Sequence, residues 1–142
     1  MKNYIVTSEE VVGEIEIRYD DRGLFYGIII RAELEPTTLH WVVSNIPITA
    51  SKINVWQQHF TVLEVPNDIS FEAFWHNWPE EKIDRKRAEN VWKRMSLKDK
   101  TRAIWVLGAY KRYCQRNPYK SPKSPAAWLN EKKYENDYNK MR

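Results

Sequence analysis

Positively charged side chains and one tryptophan recur at spacings of three and four residues late in the chain. We call this set the cation row; it consists of Lys98, Arg102, Trp105, Ala109, Arg112 and Arg116. Residues at such spacings lie on one side of an α-helix. Cations neutralise phosphates and release counterions, and an interleaved aromatic ring offers a platform on which a base stacks. The row therefore predicts a surface that binds nucleic acid, single-stranded or duplex, with little sequence preference.

The same residues also fit a structural role. In that alternative the C-terminal segment covers Trp105, and the cations only surround the covered ring. Further cations follow near Tyr119, and we add Lys120 and Lys123 to the candidate nucleic-acid-binding residues. Two more lysines would enlarge this positive surface, namely Lys132 and Lys133.

No set of residues predicts catalysis or metal binding. The spacing of His40, His59 and His76 fits no metal site, and the single Cys114 adds nothing to it. The four glycines are not clustered, so there is no glycine-rich phosphate loop. We expect a protein that is not an enzyme and that has no cofactor.

Charge is distributed unequally along the chain. Residues 1–68 carry a net charge of −5 and residues 69–142 carry +9. Such asymmetry suggests a polyanionic partner for the basic half, although the two halves could also attract one another. We therefore expect two domains, an acidic strand-rich region over 1–68 and a basic helical module over 69–142.

The acidic half has the patterns of strands. Residues 14–19 alternate strictly, which predicts that Ile15, Ile17 and Tyr19 face a core and that Glu14, Glu16 and Arg18 face water. The turn residues 20–23, in which Gly23 is free to take a positive φ, predict a hairpin over 14–32. Two further strands are predicted over 39–43 and 60–65, with a short helix capped by Thr49 between them.

The basic half has the patterns of helices. Serine N-caps predict helices that begin after Ser70, Ser96 and Ser124, and another helix is predicted over 82–95. In the first helix the apolar face consists of Phe71, Phe74, Trp75 and Trp78. The stretch Ser124-Pro125-Ala126-Ala127-Trp128 has a rigid lead-in and proline at the first helical position, which fixes where Trp128 lies. Trp128 is predicted to fill the core. The fold class expected is α+β, a small antiparallel β-sheet followed by a three- to four-helix bundle.

Several of these motifs together resemble a known module. Four motifs carry this resemblance: Phe-Glu-Ala-Phe-Trp at 71–75, Trp78-Pro79, the helix with Ala88 and Trp92, and Ala-Ala-Trp-Leu-Asn at 126–130. Their series resembles the C-terminal helical module of phage and prophage replication proteins. Those proteins are similar to replisome organisers and helicase-loading factors. The resemblance covers about residues 70–137. Family members usually carry a winged-helix DNA-binding domain in front of this module, whereas here a strand-rich acidic segment precedes it.

Two functions follow as expectations. The first is a non-enzymatic phage or prophage protein of DNA replication or DNA transactions that binds nucleic acid through its basic helical half. The second is an interaction module that binds and loads or inhibits a host protein such as a helicase, polymerase or defence factor, motivated by the acidic half and by Trp41 and Trp56. The absence of long apolar runs and of a disulfide predicts a cytoplasmic protein without a membrane partner.

Overall fold

The computed structural model describes all 142 residues and divides into two compact units, Met1–Asn67 and Asp68–Arg142. The first unit contains a four-stranded antiparallel sheet and the second contains only helices, which confirms the predicted α+β class. The predicted boundary after residue 68 differs from the observed division by one residue. Each unit has its own buried apolar core.

The sheet of the first unit is formed by β1 (Lys2–Ser8), β2 (Val11–Tyr19), β3 (Phe25–Ala32) and β4 (Thr61–Glu64), in the spatial order β3-β2-β1-β4. The hairpin predicted over 14–32 is confirmed as β2 and β3. Gly23 in its turn has a φ of 77°, and the Asp20 carboxylate accepts hydrogen bonds from the backbone N–H groups of Arg22 and Leu24. Strand β1, an inner strand paired with both β2 and β4, was not predicted from the sequence.

One face of the sheet forms the core of this unit. The predicted inward residues Ile15, Ile17 and Tyr19 are buried, and the Tyr19 hydroxyl donates to the Pro47 carbonyl over 2.8 Å. Val42 and Trp56 complete the core from two helical segments. The alternation of β2 therefore identified its core face.

The strand predicted over 39–43 is wrong, because these residues lie in the helix α1 (Pro36–Ser44). Pro36 occupies the first turn, where its fixed φ favours helix and its missing N–H costs nothing. A run of apolar residues this short does not by itself distinguish strand from helix. The helix predicted after Thr49 is a 3₁₀ helix (Ala50–Gln58), and the Thr49 side chain makes no capping hydrogen bond.

The prediction that Glu14 and Glu16 face water is also wrong. Their side chains are only 6% and 2% exposed. Arg31 on β3 donates to Glu14 Oε2 over 3.2 Å and to Glu16 Oε1 over 2.8 Å, and Arg18 donates to Glu16 Oε2 over 2.8 Å. Burial alone would raise the pKa of Glu16, but the hydrogen bonds from the two arginines lower it below its usual value. The alternation correctly placed these two glutamates on the face of the sheet opposite to Ile15 and Ile17. It did not predict that Arg18 and Arg31 would pair with them there, or that they would be buried.

The second unit contains α2 (Phe71–His76), α3 (Arg85–Arg94), α4 (Leu97–Arg116) and α5 (Pro125–Asn130), with a 3₁₀ turn at Lys133–Glu135. The three predicted serine caps are confirmed. Ser70, Ser96 and Ser124 accept from the backbone N–H three residues later at 3.1–3.2 Å. Helix α2 ends at His76, so it is shorter than the helix predicted from Phe71 to Trp78, and α3 begins at Arg85 rather than at residue 82.

Trp128 lies in the core of the helical unit, as predicted, with only 1% of its surface exposed. Its ring contacts those of Phe74, Trp78 and Tyr110 at centroid distances of 5.3–6.1 Å. The indole N–H donates to the Tyr138 hydroxyl over 3.1 Å, and that hydroxyl donates to the Lys133 carbonyl over 2.8 Å. The short α5 is thus fixed between α2, α4 and the C-terminal segment.

Candidate nucleic-acid interface

Helix α4 is the element that positions the cation row. Its buried side, which includes Ala103, Leu107 and Tyr110, packs into the core of the helical unit. The cation row lies on a different face of α4 from these buried residues, because 3.6 residues per turn place the two sets on different sides of the helix. From Lys98 to Arg116 the row extends over about 27 Å at a rise of ~1.5 Å per residue.

Trp105 presents 56% of its surface to solvent in the middle of the row. The alternative in which the C-terminal segment covers this ring does not hold in the structure. A large ring exposed to this degree contributes little to a core.

The arginines of the row make few contacts with acidic side chains. Arg112 donates to the Asn139 side-chain oxygen over 3.2 Å, and Arg116 donates to the carbonyls of Tyr138 and Met141 over 2.8 and 3.0 Å. These acceptors are neutral, so they do not compensate the guanidinium charges. Arg102 lies 3.9 Å from Glu135, a loose ion pair on the surface. Lys98 is partly exposed near the start of the helix.

Lys120 and Lys123 have a different environment from the row. The Lys120 ammonium pairs with the Glu80 carboxylate, and the Lys123 backbone N–H donates to Glu80 Oε2 over 2.9 Å. The Lys123 side chain pairs with Glu131. Both lysines are therefore compensated by carboxylates, and the structure assigns their main contacts to holding the segment between α4 and α5.

Glu80 accepts from two further groups in this cluster, the Tyr110 hydroxyl at 3.2 Å and the Cys114 thiol at 3.4 Å. Burial would raise the pKa of Glu80, but hydrogen bonds from Lys120, Lys123 and Cys114 lower it below its usual value. Burial, with Glu80 nearby, raises the pKa of Cys114. The thiol therefore stays protonated and acts as a hydrogen-bond donor rather than as a nucleophile.

A groove lies beside the row, between the end of α2 and α4. It has a volume of about 460 Å³, and its lining includes His76, Asn77, Trp78, Ile104, Gly108 and Lys111. None of these residues was predicted from the sequence to be functional. One signal was present in the sequence: a glycine inside a helix costs about 1 kcal/mol relative to alanine, which singles out position 108. In the structure a Cβ atom at this position would be in ordinary contact with Arg112 Nη1 at 3.7 Å.

The histidines and acidic residues do not form a metal site. No group of three or more histidine, cysteine, aspartate or glutamate side chains is arranged to hold a metal ion. None of the helices combines the length and the apolar character that crossing a bilayer requires.

The helical unit is the part of the chain that matches a known family. Residues 66–132 match the family model described as the Legionella vir region protein LvrA C-terminal domain. This match covers just under half of the chain and overlaps the range that resembles the phage replication module. No curated protein and no solved structure matches the chain. The helical unit is therefore similar to that C-terminal domain.

The tryptophans of the strand-rich unit do not form an exposed surface. Trp56 is 1% exposed, and its indole N–H donates to the Asn45 carbonyl over 2.8 Å. Trp41 contacts Trp56 and His59 at ring-centroid distances of 5.4 and 4.9 Å. Both rings pack within the unit, Trp56 completely and Trp41 in part. The role in binding a host protein stays a prediction.

Proposed function

We propose that this chain is a non-enzymatic protein that binds single-stranded nucleic acid through the cation row of α4. The observation that carries the proposal is Trp105, 56% exposed, with Arg102 one turn before it and Arg112 two turns after it on the same helix. Three arginines supply charge to the row, and two of them bond only to neutral acceptors within the chain. Guanidinium groups bind phosphate oxygens through paired N–H donors, which suits this arrangement.

The arrangement predicts affinity without strong sequence preference. Contacts to phosphates carry no sequence information, and stacking on an indole accepts every base. Binding should weaken steeply with salt, because each neutralised phosphate releases counterions, with a slope of about −0.7 per contact for single strands.

The test is a titration of a fluorescein-labelled single-stranded DNA across a salt series, with wild type and two variants. Arg102→Glu combined with Arg112→Glu should weaken binding at least tenfold at low salt and flatten the salt slope. Trp105→Ala should weaken binding roughly 5- to 150-fold, which corresponds to the ~1–3 kcal/mol of one stacked base. Trp105→Phe should retain most of the affinity.

The matched control is Lys86→Glu combined with Arg87→Glu. These two residues are exposed on α3 rather than on α4, and the double variant makes the same change in net charge. If the control weakens binding as much as the α4 variant does, net charge alone explains the affinity. No binding by the wild type at low salt would remove the proposal.

A role in phage or prophage DNA replication, in the host cytoplasm, is the finer part of the proposal. It is supported by the resemblance of residues 70–137 to the module of phage replication proteins. A nucleic-acid-binding helical unit is compatible with such a role. Isolation of the protein from cells that carry it, with DNA and a replication factor in the same complex, is the observation that would establish it.

A further inference from the structure

The groove between α2 and α4 opens directly beside the cation row. Gly108 lines it, one turn after Trp105 and one turn before Arg112. A Cβ atom built on Gly108 would have a single neighbour within 4 Å, the Arg112 Nη1 atom at 3.7 Å. The groove thus meets the row at a position where the helix has no side chain.

The lining of the groove suits a flat heterocycle that is joined to a phosphate. Ile104 and Pro79 provide apolar surface, Trp78 borders the groove with only 3% of its surface exposed, and Lys111 and His76 are exposed. Its volume of about 460 Å³ lies in the range of roughly 300–1,000 Å³ that is typical of small-ligand sites. Most sites of this type combine apolar walls with a few polar groups.

The charge at the rim determines which ligand class fits. Lys111 and Arg112 are adjacent in sequence, so the groove and the row have cations at their shared edge. The Asn77 amide nitrogen donates to the Ala73 carbonyl over 2.7 Å, whereas the Trp78 indole N–H is buried without a partner. A groove with apolar side chains, a few polar groups and cations at its edge fits a base that is joined to a phosphate.

We propose that this groove receives one base of the single strand bound along α4, while Arg112 and Lys111 hold the adjoining phosphates. A neighbouring base stacks on Trp105. Gly108 is the residue that gives the base its space. This inference rests on the proposed function and specifies the ligand contact that the row alone does not define.

The experiment compares two fluorescein-labelled probes of about 16 nucleotides, which is at the upper end of known single-strand site sizes. One is an oligothymidylate, and the other has the same phosphates but only abasic sugars. The proteins are wild type, Gly108→Leu, whose side chain fills the groove, and Gly108→Ala as the matched control. Thermal unfolding followed by circular dichroism verifies that each variant is folded.

We expect the wild type to bind the abasic probe at least fivefold more weakly than the oligothymidylate. Gly108→Leu should bind the oligothymidylate at least fivefold more weakly than wild type, yet bind the abasic probe equally well. Gly108→Ala should resemble wild type with both probes.

Other outcomes separate the two claims. If neither probe binds wild type, the proposed function fails. If both probes bind wild type equally, or if Gly108→Leu weakens both probes by the same factor, the row binds phosphates and the groove receives no base. If Gly108→Leu does not fold, amide NMR of the wild type replaces it. The Gly108 and Asn77 signals should then shift with oligothymidylate and not with the abasic probe, and equal shifts would overturn the inference.

Discussion

At the scale of single residues, Glu80 is a largely buried carboxylate on which several hydrogen bonds of the helical unit converge. Its side chain is 10% exposed and accepts hydrogen bonds from Lys120, Lys123, Tyr110 and Cys114. A buried carboxylate with this many donors is stable as an anion. The residue joins the end of α2 to the segment that leads into α5.

Replacing Glu80 with glutamine should destabilise the protein by about 2–3 kcal/mol at pH 7, because the Lys120 ammonium would stay largely buried without its counterion. The pKa of Glu80 is lowered in the folded state, so its contribution is fully present above the usual pKa of 4.5 and is lost as pH falls through the folded value. The difference between wild type and Glu80→Gln in urea unfolding should therefore shrink on acidification.

Glu135→Gln is the matched control, since Glu135 is 47% exposed and 3.9 Å from Arg102. It should change the free energy of unfolding by less than about 1 kcal/mol. A difference between wild type and Glu80→Gln that stays constant from neutral to strongly acidic pH would contradict the role given to the carboxylate.

At the scale of secondary structure, the helical unit depends on short helices that begin at defined serines. Helix α5 has only six residues, which is too short to be stable in isolation. Its position is set by the Ser124 cap at one end and by the rings around Trp128 on its buried side. Loss of the cap should therefore affect the core as well as the helix end.

Ser124→Ala should lower the free energy of unfolding by about 1 kcal/mol, because the Ala127 N–H would lose its acceptor. Ser124→Asp should restore most of this loss, since aspartate is an equally good N-cap. Ser121→Ala, at an exposed position three residues earlier, should be neutral within about 0.5 kcal/mol. Equal effects of Ser124→Ala and Ser121→Ala in urea unfolding would show that the cap does not stabilise α5.

At the scale of the whole molecule, two units of opposite charge follow one another in the chain. Met1–Asn67 has a net charge of −4 and Asp68–Arg142 has +8. Each has a buried core of its own, so each contains the apolar contacts that a folding unit requires. The proposed interface lies entirely on the basic unit.

A fragment of residues 68–142 should unfold cooperatively and bind single-stranded DNA at least as tightly as the full chain at low salt. The strand-rich unit has a net charge of −4 and repels the DNA phosphates, so removing it should raise the affinity for DNA a few-fold. Salt screens this repulsion, so the increase in affinity should be smaller at high salt. Fluorescence anisotropy with the labelled oligothymidylate measures this. A fragment of residues 1–67 should not bind. A folded 68–142 fragment without affinity would show that the interface is not on the basic unit alone.

The sequence by itself determined the features that depend on near neighbours. The three serine caps, the Gly23 turn, the core face of β2 and the interior position of Trp128 were all predicted. Each of these features follows from a pattern of residue types that lie within a turn or two of one another in the sequence. The helical period also placed Trp105 on the same side of α4 as the cations. That the C-terminal segment does not cover this ring was decided only by the tertiary structure.

The tertiary structure decided what depends on residues far apart in the chain. Glu80 and Lys120 are 40 positions apart, and nothing in the spacing of either predicts their pairing. The same holds for Arg31 and Glu16, and for the groove between α2 and Gly108. The position of a charge in a sequence indicates which face it occupies, but its burial and its partner are set by whichever distant segment packs against it.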